Sequence, residues 1–330
     1  MSDLSALETL EGYRRLFADP VFWRPYVQEV CRKHGLLPGE QVRMGVPGSF
    51  PTFIVDEQYV VKFFGRLFEG RQSFTAEYQA NQIVSQAGFA APRLLLQGSL
   101  FSKDAPWDWP YLIFEYLPSI SIGEVYEQVP FEDRLALAQD LGHMTRRLHN
   151  LPLDKVNLVG EEMAFPADWN AYLLFLNEQY RHSQPSTGLL PERLLAQVPD
   201  YLLSPSELID FSQPPHLIHA DLTRDHILGK LSNGHWQTLG IIDWGDAMTG
   251  NILYELLALH LDLFHCDKRL LGAYLDAYGL DRDARRKLPP QAMSLTLTHR
   301  FNIIGLVFRD FPALQESNSL PELAAALWEV

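Results

Sequence analysis

Two aspartates of this 330-residue chain stand where acid–base and metal chemistry needs carboxylates. Asp221 lies in His219-Ala220-Asp221-Leu222, directly after the apolar run Leu217-Ile218, and Asp243 lies in Ile241-Ile242-Asp243-Trp244-Gly245-Asp246. Each follows a strand-like segment, so each is expected on a loop. Phosphoryl transfer needs such a pair. One carboxylate orients the attacking hydroxyl and takes its proton; the other holds Mg²⁺ against the nucleotide phosphates. Taken singly, either aspartate also reads as a turn residue or a helix cap. Together, in this order and separated by a short apolar and turn segment, they point to catalysis. Asp246 reads equally as a cap or as a group behind the metal ligand.

The order of parts extends upstream. In the catalytic loop of protein kinases, His-x-Asp is followed five residues after the aspartate by a metal-binding Asn. Here that position is His226, preceded by Asp225. Asp243-Trp244-Gly245 stands where kinases have Asp-Phe-Gly. Lys62, in Val60-Val61-Lys62-Phe63-Phe64, could hold nucleotide phosphates, and Glu77 could orient that lysine from the next helix. By itself a strand lysine is usually an exposed one; the downstream aspartates give Lys62 its functional reading. Glu77 also reads as a surface helix residue. Between the first two strand candidates lies Val46-Pro47-Gly48-Ser49-Phe50, whose Gly48 and Ser49 N–H groups could approach phosphate without a GxGxxG pattern. The segment Phe114-Glu115-Tyr116-Leu117 is expected to meet a nucleobase through its backbone, or is merely the end of a strand.

These residues need particular elements to carry them. Phe22, Trp23, Tyr26, Val27, Val30 and Cys31 recur with helical spacing, so residues 1–37 are expected to be mainly helical. The runs QVRMGV, TFIVDEQ and YVVKFFG predict an antiparallel meander with Lys62 on its third strand. A helix is expected over about 73–87, then strands in PRLLLQGSL and YLIFEYL. Pro118 marks a crossing into a second domain. Beyond it, Leu135, Ala138, Leu141, Thr145 and Leu148 share one helix face. Helices are expected over 168–182 and 190–203, and through 250–330 with breaks at Gly279 and Pro289-Pro290. The predicted class is α+β, a protein-kinase-like two-lobe fold. A small β-rich N-terminal lobe, residues 1–117, would bind nucleotide, and a larger, mainly helical C-terminal lobe, residues 118–330, would carry catalysis and substrate binding.

Composition narrows the partners. With 27 Lys and Arg against 41 Asp and Glu, the formal net charge is −14. That argues against nucleic acid or an anionic membrane, which need basic surface, and is compatible with a cationic small molecule. Solubility alone also accounts for such charge. Cys31 and Cys266 build no disulfide framework or zinc site and are expected to be reduced packing residues of a cytoplasmic protein. The N-terminal sequence does not read as a signal peptide. The apolar run ILYELLALHLDLF is interrupted by Glu255, His260 and Asp262, which excludes a membrane span.

On these residues the chain resembles the aminoglycoside phosphotransferase family, over nearly its whole length. The family signature HGDLxxxN is matched by His219, Asp221 and Leu222, with Ala220 for Gly and His226 for Asn; the metal motif is matched by Asp243, Gly245 and Asp246. Within the family it looks most like the hygromycin-inactivating 7″-type enzymes. The stretches that carry this are FWRPYVQEV, VVKFFG, APRLL, WDWPYLIFEYL and PELAAALW. Gly250-Asn251-Ile252 departs from the family's Gly-Asp-Pro. The resemblance implies an antibiotic-resistance kinase using Mg²⁺ and ATP or GTP. Asp221 and His219 would be catalytic, Asp243 and His226 would hold metal, and Asp246, Glu255 and Asp262 would line an acidic acceptor site. Two alternatives stay open: a metabolic kinase of choline, an amino alcohol or a sugar, and a nucleotide-binding pseudokinase.

Overall fold

Helix signals at the N-terminus are local and complete. In the computed structural model, which describes residues 4–153, 164–183 and 189–330, α1 spans Leu10–Leu16 and α2 spans Pro20–His34. Asp19 caps α2 by accepting from Val21 and Phe22 N–H, Pro20 fills the first turn, and Gly35 ends it in the left-handed region at φ 65°. Trp23, Tyr26, Val27, Val30 and Cys31 turn inward to one apolar cluster with Phe53, Phe63, Tyr111 and Ile113 of the sheet.

That sheet is the predicted meander, extended. Strands β1 (Val42–Met44), β2 (Thr52–Val55), β3 (Tyr59–Phe63), β4 (Leu94–Ser99) and β5 (Pro110–Glu115) run in the order β1-β2-β3-β5-β4, with antiparallel neighbours throughout. Lys62 pairs with Thr52 on one side and Leu112 on the other, so it sits at the middle of the sheet. Helix α3 (Gly70–Gln86) begins three residues earlier than the sequence spacing predicts, after Phe68 and Glu69 both adopt positive φ. The short strand β6 (Ile120–Ser121) pairs with β8 (Ile227–Ser232), which neighbours β9 (His235–Ile241). The first compact unit of the chain comprises residues 1–124, 225–230 and 237–247.

The second unit, residues 125–224, 231–236 and 248–330, is mainly helical. Its α4 (Phe131–His149) lies against α7 (Lys268–Tyr278). Gly142 permits this approach: a Cβ there would lie 2.4 Å from the Tyr274 carbonyl oxygen. Helix α5 spans Asn170–Arg181, and β7 (His216–Ile218) pairs antiparallel with β10 (Met248–Gly250). Helix α6 (Ile252–Ala258) continues into a π-helical turn, Leu259–Leu263.

Two helix expectations are corrected. The single helix expected over 190–203 is two short turns, Glu192–Leu195 and Val198–Tyr201. Pro199 lacks the N–H that would join them, and instead occupies the first turn of the second. Conversely, Pro289 and Pro290 do not break the chain; both lie inside α8 (Arg282–Thr298). Each interior proline costs about 3 kcal/mol, but α8 buries Leu288, Met293, Leu295 and Leu297 against its neighbours, at about 1.5–3 kcal/mol each. Burial wins. Helices α9 (Ile303–Asp310) and α10 (Leu320–Trp328) complete the unit. Among the described residues no helix is long and apolar enough to cross a membrane.

Candidate active site

The first unit buries a three-charge centre. Lys62 is only 5% exposed, and its Nζ lies 2.6 Å from Glu77 Oε2 and 2.7 Å from Asp243 Oδ1. β3 brings the lysine, α3 the glutamate and the turn after β9 the aspartate. The rings of Phe50 and Phe64 stand 5.8 Å and 5.4 Å from the ammonium. Burial would push the lysine's pKa down, but the Asp243 and Glu77 charges and hydrogen bonds outweigh it and the group is held protonated. Glu77 is raised above its ordinary value by burial, with Lys62 pulling it back. Asp243 is the exposed member of the set, its side chain 26% accessible. It adopts φ 63°, a left-handed conformation that Asp tolerates better than most residues.

The other oxygen of Asp243 faces the loop. A Cβ placed on Gly48 would lie 3.4 Å from Asp243 Oδ2, and His226 Nε2 lies 3.7 Å from the same oxygen. Mg²⁺ binds with one or two carboxylates, phosphate oxygens and water, and Asp243 Oδ2 suits that pattern. Imidazole is a poorer partner for Mg²⁺, and among the described residues no group of three or more His, Cys, Asp or Glu is arranged to hold a metal by itself. Among the described residues, the Gly48, Ser49 and Phe50 N–H groups meet no acceptor. Asp246 is half-buried in the short turn Trp244–Asp246.

The crossing segment is more committed than the sequence implies. Glu115 N–H donates to the Arg93 carbonyl and Tyr116 N–H to the Gln58 carbonyl, both at 2.9 Å. Their backbone donors are therefore occupied. The Leu117 N–H has no acceptor among the described residues.

The second unit holds the loop after β7. Ala220 adopts φ 66°, where glycine is at ease and alanine is strained. What secures it is Glu255, which accepts from His219 N–H through Oε1 at 3.3 Å and from Ala220 N–H through Oε2 at 2.8 Å. Asp221 N–H donates to His219 Nδ1 at 3.3 Å, Thr223 N–H to the Asp221 carbonyl at 2.9 Å, and Arg224 N–H to Asp262 Oδ1 at 2.8 Å. With its backbone donors held this way, the loop presents a half-buried Asp221 side chain from a fixed frame.

This geometry changes the reading of two expected acidic lining residues. Glu255 is 1% exposed and turned to the loop backbone, so it does not line an open surface. Burial, first, and the neighbouring Asp221 charge push its carboxyl up to about 7, although the two amides pull the other way. Asp262, delivered by the π-helical turn, has one oxygen on the Arg224 amide and the other 3.5 Å from the Arg224 guanidinium. For Glu255 a signal was present: an acid inside an apolar helical run is either a surface exception or buried with donors, and here it is buried, whereas the Asp262 side chain stays 41% accessible. Asn251, where the family carries Asp, caps α6. It accepts from Tyr172 hydroxyl at 3.1 Å and donates through Nδ2 to the Leu208 carbonyl at 3.0 Å. A carboxylate could not make that second bond.

Comparisons with known proteins follow the same lines. A family model described as the phosphotransferase enzyme family matches residues 44–288. Among solved structures, the GDP complex of wild-type aminoglycoside 2′-phosphotransferase-IIIa superposes with a TM-score of 0.64 at 20% identity, covering 93% of this chain and 99% of that one. A microcompartment-associated aminopropanol kinase superposes with a TM-score of 0.60 at 16% identity, covering 92% and 96%. At these identities they establish the kinase-like fold. A curated relative, lysine-specific demethylase JMJ21 of Arabidopsis thaliana, is 23% identical over 93% of this chain but only 45% of its own length. The chain thus spans under half of that protein.

Proposed function

The chain belongs to the phosphotransferase enzyme family, and from that premise we propose that it transfers the γ-phosphoryl group of ATP or GTP to a hydroxyl of a small molecule. The observation that carries the reading is the buried Lys62 ammonium shared by Glu77 and Asp243 at 2.6 Å and 2.7 Å. A buried charge is costly unless it is paired and hydrogen-bonded, and a lysine fixed beside an accessible carboxylate is what phosphate binding requires. In this reading Lys62 holds the phosphates, and the N–H groups of Gly48 and Ser49, which meet no acceptor among the described residues, cover them. The Leu117 N–H meets the nucleobase beside Glu115 and Tyr116. Asp243, with His226 beside it, would hold Mg²⁺, which neutralises charge on the transferred group. Asp221 orients the acceptor hydroxyl and takes its proton, steadied by His219.

The acceptor has two readings. An aminoglycoside, hygromycin B included, follows from the sequence resemblance and would make this a cytoplasmic resistance enzyme. A small amino alcohol or related metabolite is favoured by one observation: Glu255 is buried under the loop and Asp262 is engaged by Arg224. Both acids are thus turned to groups of the protein's own loop rather than left to receive a polycation. The test is nucleoside diphosphate release from MgATP and MgGTP across aminoglycosides, amino alcohols and neutral sugars, with an Asp221→Asn control. Turnover of an aminoglycoside with kcat/KM falling as salt rises supports the first reading. Turnover of amino alcohols alone supports the second. Nucleotide binding with no acceptor turnover would reduce the protein to a binding module.

A further inference from the structure

The family match begins at residue 44, yet a side chain ahead of it reaches the phosphate-covering loop. The root of that loop is pinned by the sheet: Gly45 N–H donates to the Thr52 carbonyl at 2.8 Å, and Phe63 N–H to the Pro51 carbonyl at 2.9 Å. Its tip, Pro47 to Ser49, is exposed. A hydrogen bond holds the tip from outside the sheet. The Tyr13 hydroxyl donates to the Ser49 carbonyl at 2.5 Å.

Tyr13 is built for that bond. Thr9 caps α1 by accepting from Gly12 N–H at 3.1 Å, which starts the helix that carries it. The Tyr13 ring is 3% exposed, stacks on Phe17 at 5.6 Å and meets Phe68 edge-on at 5.4 Å. It also lies against Gly65, where a Cβ would sit 3.2 Å from the ring. Burial raises the phenol's pKa, so the hydroxyl stays a donor. In a trans peptide the N–H points opposite to the C=O. Holding the Ser49 carbonyl on the Tyr13 side therefore turns the Phe50 N–H away from α1. Among the described residues that N–H meets no acceptor, although Phe50 itself is buried. A donor without a protein partner beside an exposed loop tip is one that an anion can satisfy.

Building on the phosphotransferase reading, we propose that Tyr13 is a positioning residue for the nucleotide phosphates, acting through the Ser49–Phe50 peptide. A loop whose glycines are Gly45 at its root and Gly48 at its tip, with no GxGxxG, lacks the usual means of presenting several N–H groups at once, and the N-terminal helix supplies the constraint instead.

Tyr13→Phe removes one oxygen and keeps the ring. The affinity for MgATP or MgGTP should weaken about 3- to 10-fold, the net worth of one hydrogen bond. With the loop touching phosphate equally in ground and transition states, kcat should stay within about twofold. Binding of the corresponding nucleoside, which has no phosphates, should not change. Phe17→Leu, which trims the packing and spares the hydroxyl, should lower Tm and leave triphosphate affinity intact. Wild-type triphosphate affinity in Tyr13→Phe would overturn the proposal. So would equal losses for nucleoside and triphosphate, or an equal loss in Phe17→Leu. If wild-type protein bound neither MgATP nor MgGTP, the phosphotransferase reading itself would fall, and this inference with it.

Discussion

Replacing Glu255 by Gln separates what the carboxylate costs the fold from what it does for the loop that carries Asp221. Burial lifts its pKa from 4.5 to about 7. The folded state therefore binds this proton more tightly than the unfolded chain. Stability from this group is fully present below the unfolded value and is lost as pH rises to about 7. Nothing further is lost above that. At about 1.4 kcal/mol per pH unit, the full window is worth about 3 kcal/mol, and the part between pH ~5.5 and ~7 about 2 kcal/mol. Gln carries no charge at any pH. It keeps one acceptor for the His219 and Ala220 amides and sets an NH₂ against the other, much as the protonated acid sets an O–H. At pH ~5.5 the variant should therefore lie within about 1 kcal/mol of wild type. At pH ~8.5 its relative stability should improve by about 2 kcal/mol. The groups that face Glu255 do not blur the comparison: burial keeps Tyr274 and Tyr278 protonated across this range, and Asp221 is common to both proteins. Activity should move the other way. With one amide of the loop released at pH ~8, Asp221 is less well placed and kcat should fall about 10- to 100-fold. Urea unfolding of both proteins at the two pH values is the assay. A stability difference that does not change with pH would refute the burial argument, and an undiminished kcat would refute the role in positioning the loop.

Asp221→Asn should retain the fold and nucleotide affinity and lose about 10²- to 10⁴-fold in kcat; near-wild-type turnover would remove Asp221 from the chemistry. Lys62→Met leaves Glu77 and Asp243 facing one another without their cation. It should cost about 3 kcal/mol, the low end for a broken buried pair because Asp243 is partly exposed, and nucleotide affinity should fall with it; an unchanged Tm would show the ion triad to be energetically idle. His226→Asn exchanges imidazole for an oxygen donor beside Asp243 and should raise apparent Mg²⁺ affinity. If the Mg²⁺ titration and the activity are both unmoved, His226 is a packing residue.

Much of the fold was legible because its signals are local. Alternating β-branched and aromatic residues, broken at Pro47-Gly48-Ser49 and Asp56-Glu57, predict the meander and put Lys62 on its third strand, where the structure has it. Helical spacing from Phe22 to Cys31 predicts α2 in the same way. Where local rules compete with burial, sequence reading went astray in both directions. Proline chemistry stopped a helix at Pro199, whereas at Pro289-Pro290 the apolar face of α8 overrode it.

By itself the sequence determined which residue types were available for chemistry, and that Asp221 and Asp243 each follow a strand-like segment. Only the tertiary structure decided the company they keep. Glu255 meets the Ala220 amide 35 residues away, Asp262 meets the Arg224 amide 38 away, and Tyr13 meets Ser49 across 36. None of these partners is implied by a period of 2 or 3.6, because each bond depends on where packing sets two separate elements. The same holds for charge. An acid inside an apolar helix reads equally as a surface exception or a buried clamp until the donors facing it are known. For Glu255 those donors are two backbone amides, groups that every sequence contains and that only a fold can aim.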